Sequence, residues 1–94
     1  MIDLSIIVVS YNTADLTVAC LDSIATSINK YPVEAEVIVV DNASADSSIS
    51  LIKNLELKTK NLRLIENKSN AGFGKANNIG LKKAEGKYIL FLNS

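Results

Sequence analysis

Four short apolar runs constrain the fold of this chain more than any other feature of its sequence. They cover residues 4–9, 37–40, 62–65 and 88–92 and read LSIIVV, VIVV, LRLI and YILFL. Three of them are nearly continuous, which is typical of strands that helices cover on both faces of a parallel sheet. The run LRLI alternates, which favours a position at the edge of the sheet. The sequence therefore predicts four strands, three of them deeply buried.

The segments between these runs have the period of helices and begin with capping residues. Asn12 or Thr13 is predicted to cap the first helix, which ends at the Tyr-Pro pair of residues 31–32. Ser44 or Asp46 is predicted to cap the second helix. The third helix is predicted to begin near residues 71–73 and to end with Gly86 in the C′ position.

Each helix is predicted to turn one stripe of residues toward the sheet, at helical spacing. In the first helix these residues are Leu16, Ala19, Cys20, Ser23, Ile24 and Ile28. In the second they are Ile49, Ile52 and Leu55. In the third they are Phe73, Ala76, Asn77, Gly80 and Ala84.

The predicted order β-α-β-α-β-α-β favours an α/β fold: a doubly wound, mostly parallel sheet with helices on both faces, of Rossmann-like type. Such sheets bind ligands beyond the carboxyl ends of their strands, where the winding direction reverses. The polar segments after the strands are therefore the candidate site. They read SYN at residues 10–12, DNAS at 41–44, ENKSN at 66–70 and NS at 93–94.

Composition excludes several classes of function. The 94 residues form one domain at most. The net charge is zero and no basic run is longer than Lys82–Lys83, so no nucleic-acid surface is indicated. Histidine is absent, which removes the commonest general base, and the single Cys20 excludes an internal disulfide and indicates a reducing compartment. No apolar run approaches the roughly 20 residues of a membrane helix, and the N-terminus does not have the pattern of a signal peptide.

Tyr11 and Asp41 each have two interpretations from the local sequence. Tyr11, at the end of the first strand, either stacks on a base or packs the first helix onto the sheet. Asp41, at the end of the second strand, either accepts a hydrogen bond from a ribose hydroxyl or a base N–H, or serves as a turn or capping residue. Because Ser44 and Asp46 are available as caps, we favour the ligand role for Asp41.

The segment NKSNAGFGKANNIG, residues 67–80, is rich in glycine and asparagine. It does not match G-x-G-x-x-G, since Asn77 stands where the third glycine is expected, nor does it match the P-loop pattern. Gly72 and Gly74 nevertheless allow close backbone approach at a helix N-terminus, which favours anions. The alternative is a capped helix start with a structural Asn77, whose amide would need partners.

Taken in order, SIIVVSYN, EVIVVDNAS and NAGFGKANNIGLKKAEGKYILFLNS resemble the N-terminal part of family 2 glycosyltransferases, most nearly the rhamnosyltransferase-like branch. The resemblance covers essentially the whole chain. It implies the GT-A fold, whose first half binds the nucleotide of a UDP- or dTDP-sugar donor. Residues 1–94 are thus expected to be the nucleotide-sugar-binding half of such a domain.

The resemblance implies nucleotide-binding residues in three loops. They are Val9, Ser10, Tyr11, Asp41, Asn70, Gly72, Lys75 and Asn77. Val9–Tyr11 and Asp41 would contact the base, with Asp41 accepting the N3–H of uracil or thymine. The third loop would lie near the ribose and the diphosphate, and Lys75 would supply a basic group there.

The resemblance also implies a metal site at the end of the fourth strand. The family has a D-x-D-type motif there, often N-x-D in this branch, so Asn93 matches its first position and Ser94 its second. The third position, a carboxylate ligand for Mg²⁺ or Mn²⁺, would be the next residue, so these residues alone are expected to bind metal weakly. The catalytic base and the acceptor site are expected in a second half of the domain, which would leave this piece inactive by itself.

The expected parent enzyme transfers a sugar, with inversion and metal assistance, to an acceptor in bacterial polysaccharide or glycan synthesis. It would work in the cytoplasm or at the inner face of the membrane. Two alternatives stay open. One is a nucleotide-binding module without catalysis. The other is a structural piece that self-associates through the bare edge of its fourth strand or through surfaces that the second half would cover.

Overall fold

The computed structural model describes residues 1–93, with Asn93 described by its backbone only. Strands and helices alternate as predicted. The elements are β1 (Leu4–Ser10), α1 (Ala14–Ile28), β2 (Ala35–Asp41), α2 (Ser48–Lys58), β3 (Leu62–Glu66), α3 (Phe73–Lys83) and β4 (Tyr88–Asn93). Each strand extends one residue beyond its apolar run, so that its last residue is polar.

The four strands form one parallel sheet in the order β3-β2-β1-β4. The strand LRLI lies at an edge, as its alternation predicts. The chain moves outward from β1 through β2 to β3 and then returns to the opposite side of β1. The winding direction therefore reverses between β1 and β4, where Val9 pairs with Asn93.

Two apolar cores lie on opposite faces of the sheet because successive strand residues point to opposite sides. One core packs α1 and α2 against the sheet; its buried members are Ile6, Val8, Leu21, Ile24, Val37, Val39, Ile52 and Leu62. The other packs α3 against Val9, Ile38 and Val40 through Ala76. The predicted doubly wound α/β architecture, with helices on both faces, is confirmed. Among the helices described, none is long and apolar enough to cross a membrane.

The predicted inner face of α1 is correct for Cys20, Ile24 and Ile28, which pack into the core, and wrong for Leu16, Ala19 and Ser23. Leu16 is 64% exposed, and Ala19 and Ser23 are exposed as well. The buried residues are Ala14, Thr17, Leu21 and Ile24. The stripe was misplaced because Ala14 and Thr17 were not counted as core residues. A small side chain at 14 and a hydroxyl at 17 suit the close approach of α1 to the end of β1, where Thr17 Oγ1 bonds Ser10 Oγ at 2.9 Å.

The predicted role of Gly86 as a helix C′ residue is also wrong. Helix α3 ends at Lys83, and its C-cap, Ala84, has an extended backbone. Gly86 is required for another reason: a Cβ there would meet the backbone N and the Oγ of Ser5, both at 2.5 Å. Its N–H instead donates to Ser5 Oγ at 2.8 Å. The glycine thus lets the segment before β4 lie directly against the start of β1.

A buried carboxylate holds the amino ends of the strands together. Glu36, at the start of β2, is buried and accepts hydrogen bonds from Ser5 Oγ at 2.6 Å and from the backbone N–H of Glu85 at 2.7 Å. Arg63 of β3 lies 3.6 Å from its other oxygen and is about half exposed. This end of the sheet is therefore fixed by polar contacts, opposite the end where the candidate site lies.

Candidate functional site

A pocket of about 430 Å³ opens at the carboxyl end of the sheet. It is lined by Val9, Tyr11, Thr13, Asn42, Asn70, Gly72 and Phe73. These residues come from the ends of β1 and β2 and from the loop that leads into α3. The pocket thus lies beside the reversal of winding, where ligands of such sheets bind. Four predicted site residues line it: Val9, Tyr11, Asn70 and Gly72.

The loop after β1 is locked to the loop after β2. Asn12 has a left-handed backbone, with φ 51°, and its N–H donates to Ser44 Oγ at 2.9 Å. Its side-chain Oδ1 accepts the N–H of Ala45 at 2.7 Å. Asparagine tolerates this backbone region better than most residues, which explains its place here. Tyr11, directly before this anchor, is 47% exposed, so its ring is available to a ligand rather than buried under α1.

Asp41 makes the contacts of a turn residue in this structure. Its two carboxylate oxygens accept hydrogen bonds from the backbone N–H of Ser44 at 2.8 Å and from Ser44 Oγ at 2.6 Å. The residue is 0% exposed and does not line the pocket. Ser44 is therefore not the cap of α2, because its hydroxyl donates to Asp41. These contacts with Ser44 fit the interpretation of Asp41 as a turn residue. The role of Asp41 in binding a ligand stays a prediction.

Asn42 joins the second loop to the third, a role that the sequence analysis missed. The residue is 2% exposed. Its Nδ2 donates to the carbonyl of Gly72 at 3.2 Å, and its Oδ1 accepts from Asn67 Nδ2 at 2.8 Å and from the N–H of Ala71 at 3.3 Å. These contacts span 25 to 30 residues of sequence. The local sequence DNAS holds no sign of them, since it is equally typical of an ordinary turn.

The third loop presents Phe73 to the pocket. Gly72, the N-cap of α3, has φ 83° and ψ 166°, a backbone that favours glycine. Its N–H donates to Asn70 Oδ1 at 2.9 Å. Phe73 was predicted to face the sheet, which is wrong, because the residue is 53% exposed and lines the pocket. The first turn of α3 lies at the carboxyl end of the sheet, where the ring shares the pocket with Val9 and Tyr11. Ala76 and Gly80, further along, are buried against the sheet.

Three other predicted residues do not line the pocket. Ser10 is fully buried, and its hydroxyl bonds Thr17 rather than facing a ligand. Lys75 is exposed on α3. Asn77 is half-buried, and its Oδ1 is buried with no hydrogen-bond partner among the described residues. The expectation that this amide would be paired is thus not met in this part of the chain.

The described residues do not form a metal site. Within residues 1–93 no group of three or more acidic, histidine or cysteine side chains comes together. Asp41, the carboxylate nearest in sequence to the pocket lining, is buried and bonded twice by Ser44. The backbone of Asn93 pairs with Val9 at the strand ends, but its side chain and all of Ser94 lie outside the described residues. The metal role of Asn93 therefore stays a prediction.

The Asp46 carboxylate accepts hydrogen bonds from the N-termini of α1 and α2, two of the three helices that begin near the site. Its Oδ2 accepts the N–H of Ala14 in α1 at 3.2 Å, and its Oδ1 accepts the N–H of Ser48 in α2 at 3.0 Å. Ser48 lowers the pKa of Asp46 below its ordinary range by stabilising the ionised carboxylate, and the N–H of Ala14 adds to this. Asp46 thus satisfies an N–H at the start of α2, as the capping prediction expected, although Ser47 and not Asp46 occupies the N-cap position. Its bond to α1 was not foreseen.

The family model described as glycosyl transferase family 2 matches residues 5–94. The poly(ribitol-phosphate) beta-glucosyltransferase of Bacillus spizizenii is 39% identical over 92 residues, which are 97% of this chain and 14% of the relative. Poly(ribitol-phosphate) beta-N-acetylglucosaminyltransferase TarS of Staphylococcus aureus is 35% identical over 96 residues, covering all of this chain and 16% of the relative. The chain therefore spans about a seventh of the length of these relatives.

Solved structures have the same fold. The structure of Staphylococcus aureus TarS in complex with UDP-GlcNAc superposes with a TM-score of 0.83 at 33% identity, over 98% of this chain and 26% of that one. The Pyrobaculum calidifontis mannosyltransferase in complex with GDP-Man and Mn²⁺ superposes with a TM-score of 0.81 at 28% identity, over 96% of this chain and 26% of that one. The sheet and its helices are thus those of GT-A-type enzymes.

Proposed function

The chain belongs to glycosyl transferase family 2, and from this premise we propose that it is the donor-binding half of a glycosyltransferase domain. The parent enzyme transfers a sugar from a UDP- or dTDP-sugar to an acceptor in glycan or polysaccharide synthesis. The observation that carries the proposal is the pocket beside the reversal of winding. It gathers Val9, Tyr11, Asn70 and Gly72 from two loops that are far apart in sequence.

The pocket suits the nucleoside part of such a donor. Its volume of about 430 Å³ lies in the range of small-ligand sites. The exposed ring of Tyr11 offers a flat apolar surface, and the amides and hydroxyl of Asn42, Asn70 and Thr13 add polar groups. The S. aureus TarS structures with UDP-GlcNAc and with UDP, which superpose on nearly the whole chain, support a uridine nucleotide as the first ligand to test.

The predicted hydrogen bond from the base N3–H to Asp41 has a structural condition. Each Asp41 oxygen accepts one bond from Ser44 and has room for another, but the residue is fully buried, so a base reaches the carboxylate only if the residues that cover it move. We keep this contact as part of the proposal. A comparison of UDP with N3-methyl-UDP tests it: the methylated nucleotide should bind at least tenfold more weakly, and equal binding would reject the contact while leaving the pocket in place.

Chemistry is proposed for the parent enzyme and not for this chain alone. An inverting transfer needs a base that deprotonates the acceptor hydroxyl, which then attacks the anomeric carbon as the nucleoside diphosphate departs. The pocket residues hold the nucleoside and so orient the donor for that attack. Asn93 would be one of the residues that hold Mg²⁺ or Mn²⁺ in the parent enzyme, and such an ion would supply positive charge near the diphosphate. We expect these 94 residues alone to show no transfer activity.

Calorimetric titration of the chain with UDP, dTDP and GDP, each with and without Mn²⁺, tests the donor-binding role. We expect UDP and dTDP to bind more tightly than GDP, with a small effect of Mn²⁺. Tyr11→Ala should weaken binding, whereas Tyr31→Ala should not, since Tyr31 is exposed outside the pocket. If the wild-type chain binds none of the three nucleotides, the donor-binding proposal fails.

A second candidate role, self-association through β4, is favoured by one observation. Strand β4 lies at an edge of the sheet, its sequence YILFLN carries no charge, and Tyr88, Leu90 and Phe91 are exposed. Beside it lies an apolar groove of about 440 Å³, to whose lining Ile24, Leu90 and Leu92 contribute. An uncharged, exposed edge strand is a template for pairing with another chain, and we propose a second copy as that chain.

Light scattering over a range of concentrations tests this second role. We expect a dimer that Leu90→Lys disrupts. Leu57→Lys is the matched control, because Leu57 is exposed on α2 and does not line the groove. A wild-type chain that stays monomeric at high concentration would reject self-association and leave the donor-binding role untouched.

A further inference from the structure

We propose that Phe73 contacts the nucleoside of the bound donor and forms, with Tyr11, an aromatic pair that determines how tightly the nucleoside is held. This inference rests on the donor-binding role proposed above. The helical pattern assigned Phe73 to the core, but the structure places its side chain at the pocket. The inference follows from this position. Of the large exposed apolar side chains in residues 1–93, Tyr11 and Phe73 are those that line the pocket.

Core packing does not account for the position of Phe73. The ring is 53% exposed, while Ala76 and Gly80 of the same helix are buried against the sheet. A Cβ placed on either neighbour, Gly72 or Gly74, would find no non-adjacent atom within 4 Å, so the backbone on both sides of Phe73 is loosely surrounded. An aromatic side chain in this setting gains free energy when a flat apolar partner covers it.

The backbone that carries Phe73 is fixed before any ligand binds. The Gly72 carbonyl accepts from Asn42 Nδ2 at 3.2 Å and from the N–H of Ala76 at 3.1 Å. The Gly72 N–H donates to Asn70 Oδ1 at 2.9 Å. The backbone that carries Phe73 is therefore held in place, and only the side-chain torsions of the ring need to be ordered when a ligand binds.

The pocket chemistry favours the nucleoside over the diphosphate as the partner of this ring. Tyr11 and Phe73 reach the pocket from different loops and bring apolar surface to it. A base or the apolar face of a ribose gains from such surface, whereas a diphosphate prefers backbone N–H groups and cations. Lys75, the nearest cation in sequence, does not line the pocket.

Calorimetry on the whole chain separates these possibilities. Wild type, Phe73→Ala, Phe73→Leu, Phe73→Tyr and Leu81→Ala are titrated with UDP, uridine and inorganic pyrophosphate. Leu81 is the control, since it is 42% exposed on the same helix but does not line the pocket. We expect Phe73→Ala to weaken UDP and uridine binding about tenfold, which is 1.4 kcal/mol. Phe73→Leu should weaken it less, and Phe73→Tyr and Leu81→Ala should bind as wild type does.

Each outcome decides between the proposals. If wild type binds neither UDP nor uridine, the donor-binding role fails and this inference fails with it. If wild type binds UDP and Phe73→Ala binds equally well, only the role of Phe73 is rejected. Equal weakening of pyrophosphate and UDP would also reject it, because the ring would then act on the loop rather than on the nucleoside. If circular dichroism shows that Phe73→Ala does not fold, Phe73→Leu and Phe73→Tyr are compared instead. Weaker UDP binding by Phe73→Leu than by Phe73→Tyr supports the role of the ring, and equal binding rejects it.

Discussion

The carboxylate of Asp46 accepts the backbone N–H of Ala14 at 3.2 Å, although 32 residues separate the two in sequence. The same side chain accepts the N–H of Ser48, so one carboxylate caps the N-termini of α1 and α2 together. Asp46 therefore ties together the two loops that follow β1 and β2. Negative charge at two helix N-termini is also favoured by the helix dipoles.

Asp46 should make stability depend on pH in the acid range. Hydrogen bonds from Ser48, and then from Ala14, lower its pKa in the folded state below the unfolded value, which is about 3.9. Its contribution is therefore complete above about pH 4 and is lost as the pH falls through the folded pKa. Thermal unfolding from pH 2.5 to 7 should show a smaller acid-induced loss in Asp46→Asn than in wild type. Asp22→Asn, at an exposed position of α1, should leave the wild-type profile unchanged.

Gly80 sets the distance between α3 and the sheet. A Cβ at this position would lie 2.6 Å from Ile7 Cγ2 and 3.2 Å from Val40 Cγ2. Gly80→Ala should therefore reduce the free energy of unfolding by about 1–3 kcal/mol, as overpacking of a core does. Gly74→Ala on the same helix meets no atom within 4 Å and should be neutral or slightly stabilising. Urea unfolding of both variants measures the difference, and equal stabilities would contradict the close packing of α3.

The sequence was sufficient to predict the strands of the sheet, because apolar runs are strong signals that can be recognised locally. Continuous apolar runs correctly identified β1 and β2 as buried strands, and the alternation of LRLI identified an edge. The same rule was wrong for β4, which lies at the other edge with Tyr88, Leu90 and Phe91 exposed. The buried faces of the helices were harder to predict from the sequence. A hydrophobic pattern records the type of each residue but not which residues of the sheet it packs against. Leu16 was assigned to the core and is exposed, while Thr17 is buried because Ser10 bonds its hydroxyl.

The candidate site was predicted less completely, for a related reason. Tyr11, Asn70 and Gly72 were found because strand ends in such sheets converge on one edge. The role of Asn42 was missed because its hydrogen-bond partners lie 25 to 30 residues away in sequence, and no local sequence pattern indicates such contacts. Phe73 was missed because the helical period placed it on the inner face, whereas the first turn of α3 lies beside the strand ends.

Glu36 should contribute more to stability than its ion pair suggests. Glu36→Ala would leave the buried Ser5 hydroxyl without its acceptor, at a cost of about 1–3 kcal/mol, and would also remove the acceptor of the part-buried Glu85 N–H. Arg63→Ala removes only a half-exposed partner 3.6 Å away and should cost less than about 1 kcal/mol. Chemical denaturation of both variants measures this. A larger loss for Arg63→Ala would show that the ion pair, and not the hydrogen bonds, holds the amino ends of the strands.

Asn42 should control both the order of the third loop and the binding of nucleotide. Asn42→Ala removes three side-chain hydrogen bonds, to Asn67, Ala71 and Gly72, and should reduce the free energy of unfolding by roughly 1–3 kcal/mol. Asn42→Asp keeps an acceptor for Asn67 and Ala71 but loses the donor to the Gly72 carbonyl.

Hydrogen exchange at the Ala71 amide distinguishes the two Asn42 variants. Protection should be lost in Asn42→Ala and largely kept in Asn42→Asp, because the N–H of Ala71 bonds the retained oxygen position. UDP affinity should fall in both variants, since the Gly72 carbonyl beside Phe73 is released in each. Asn54→Ala, at an exposed position of α2, should change neither readout. An Ala71 amide that stays protected in Asn42→Ala would mean that the loop is ordered without Asn42.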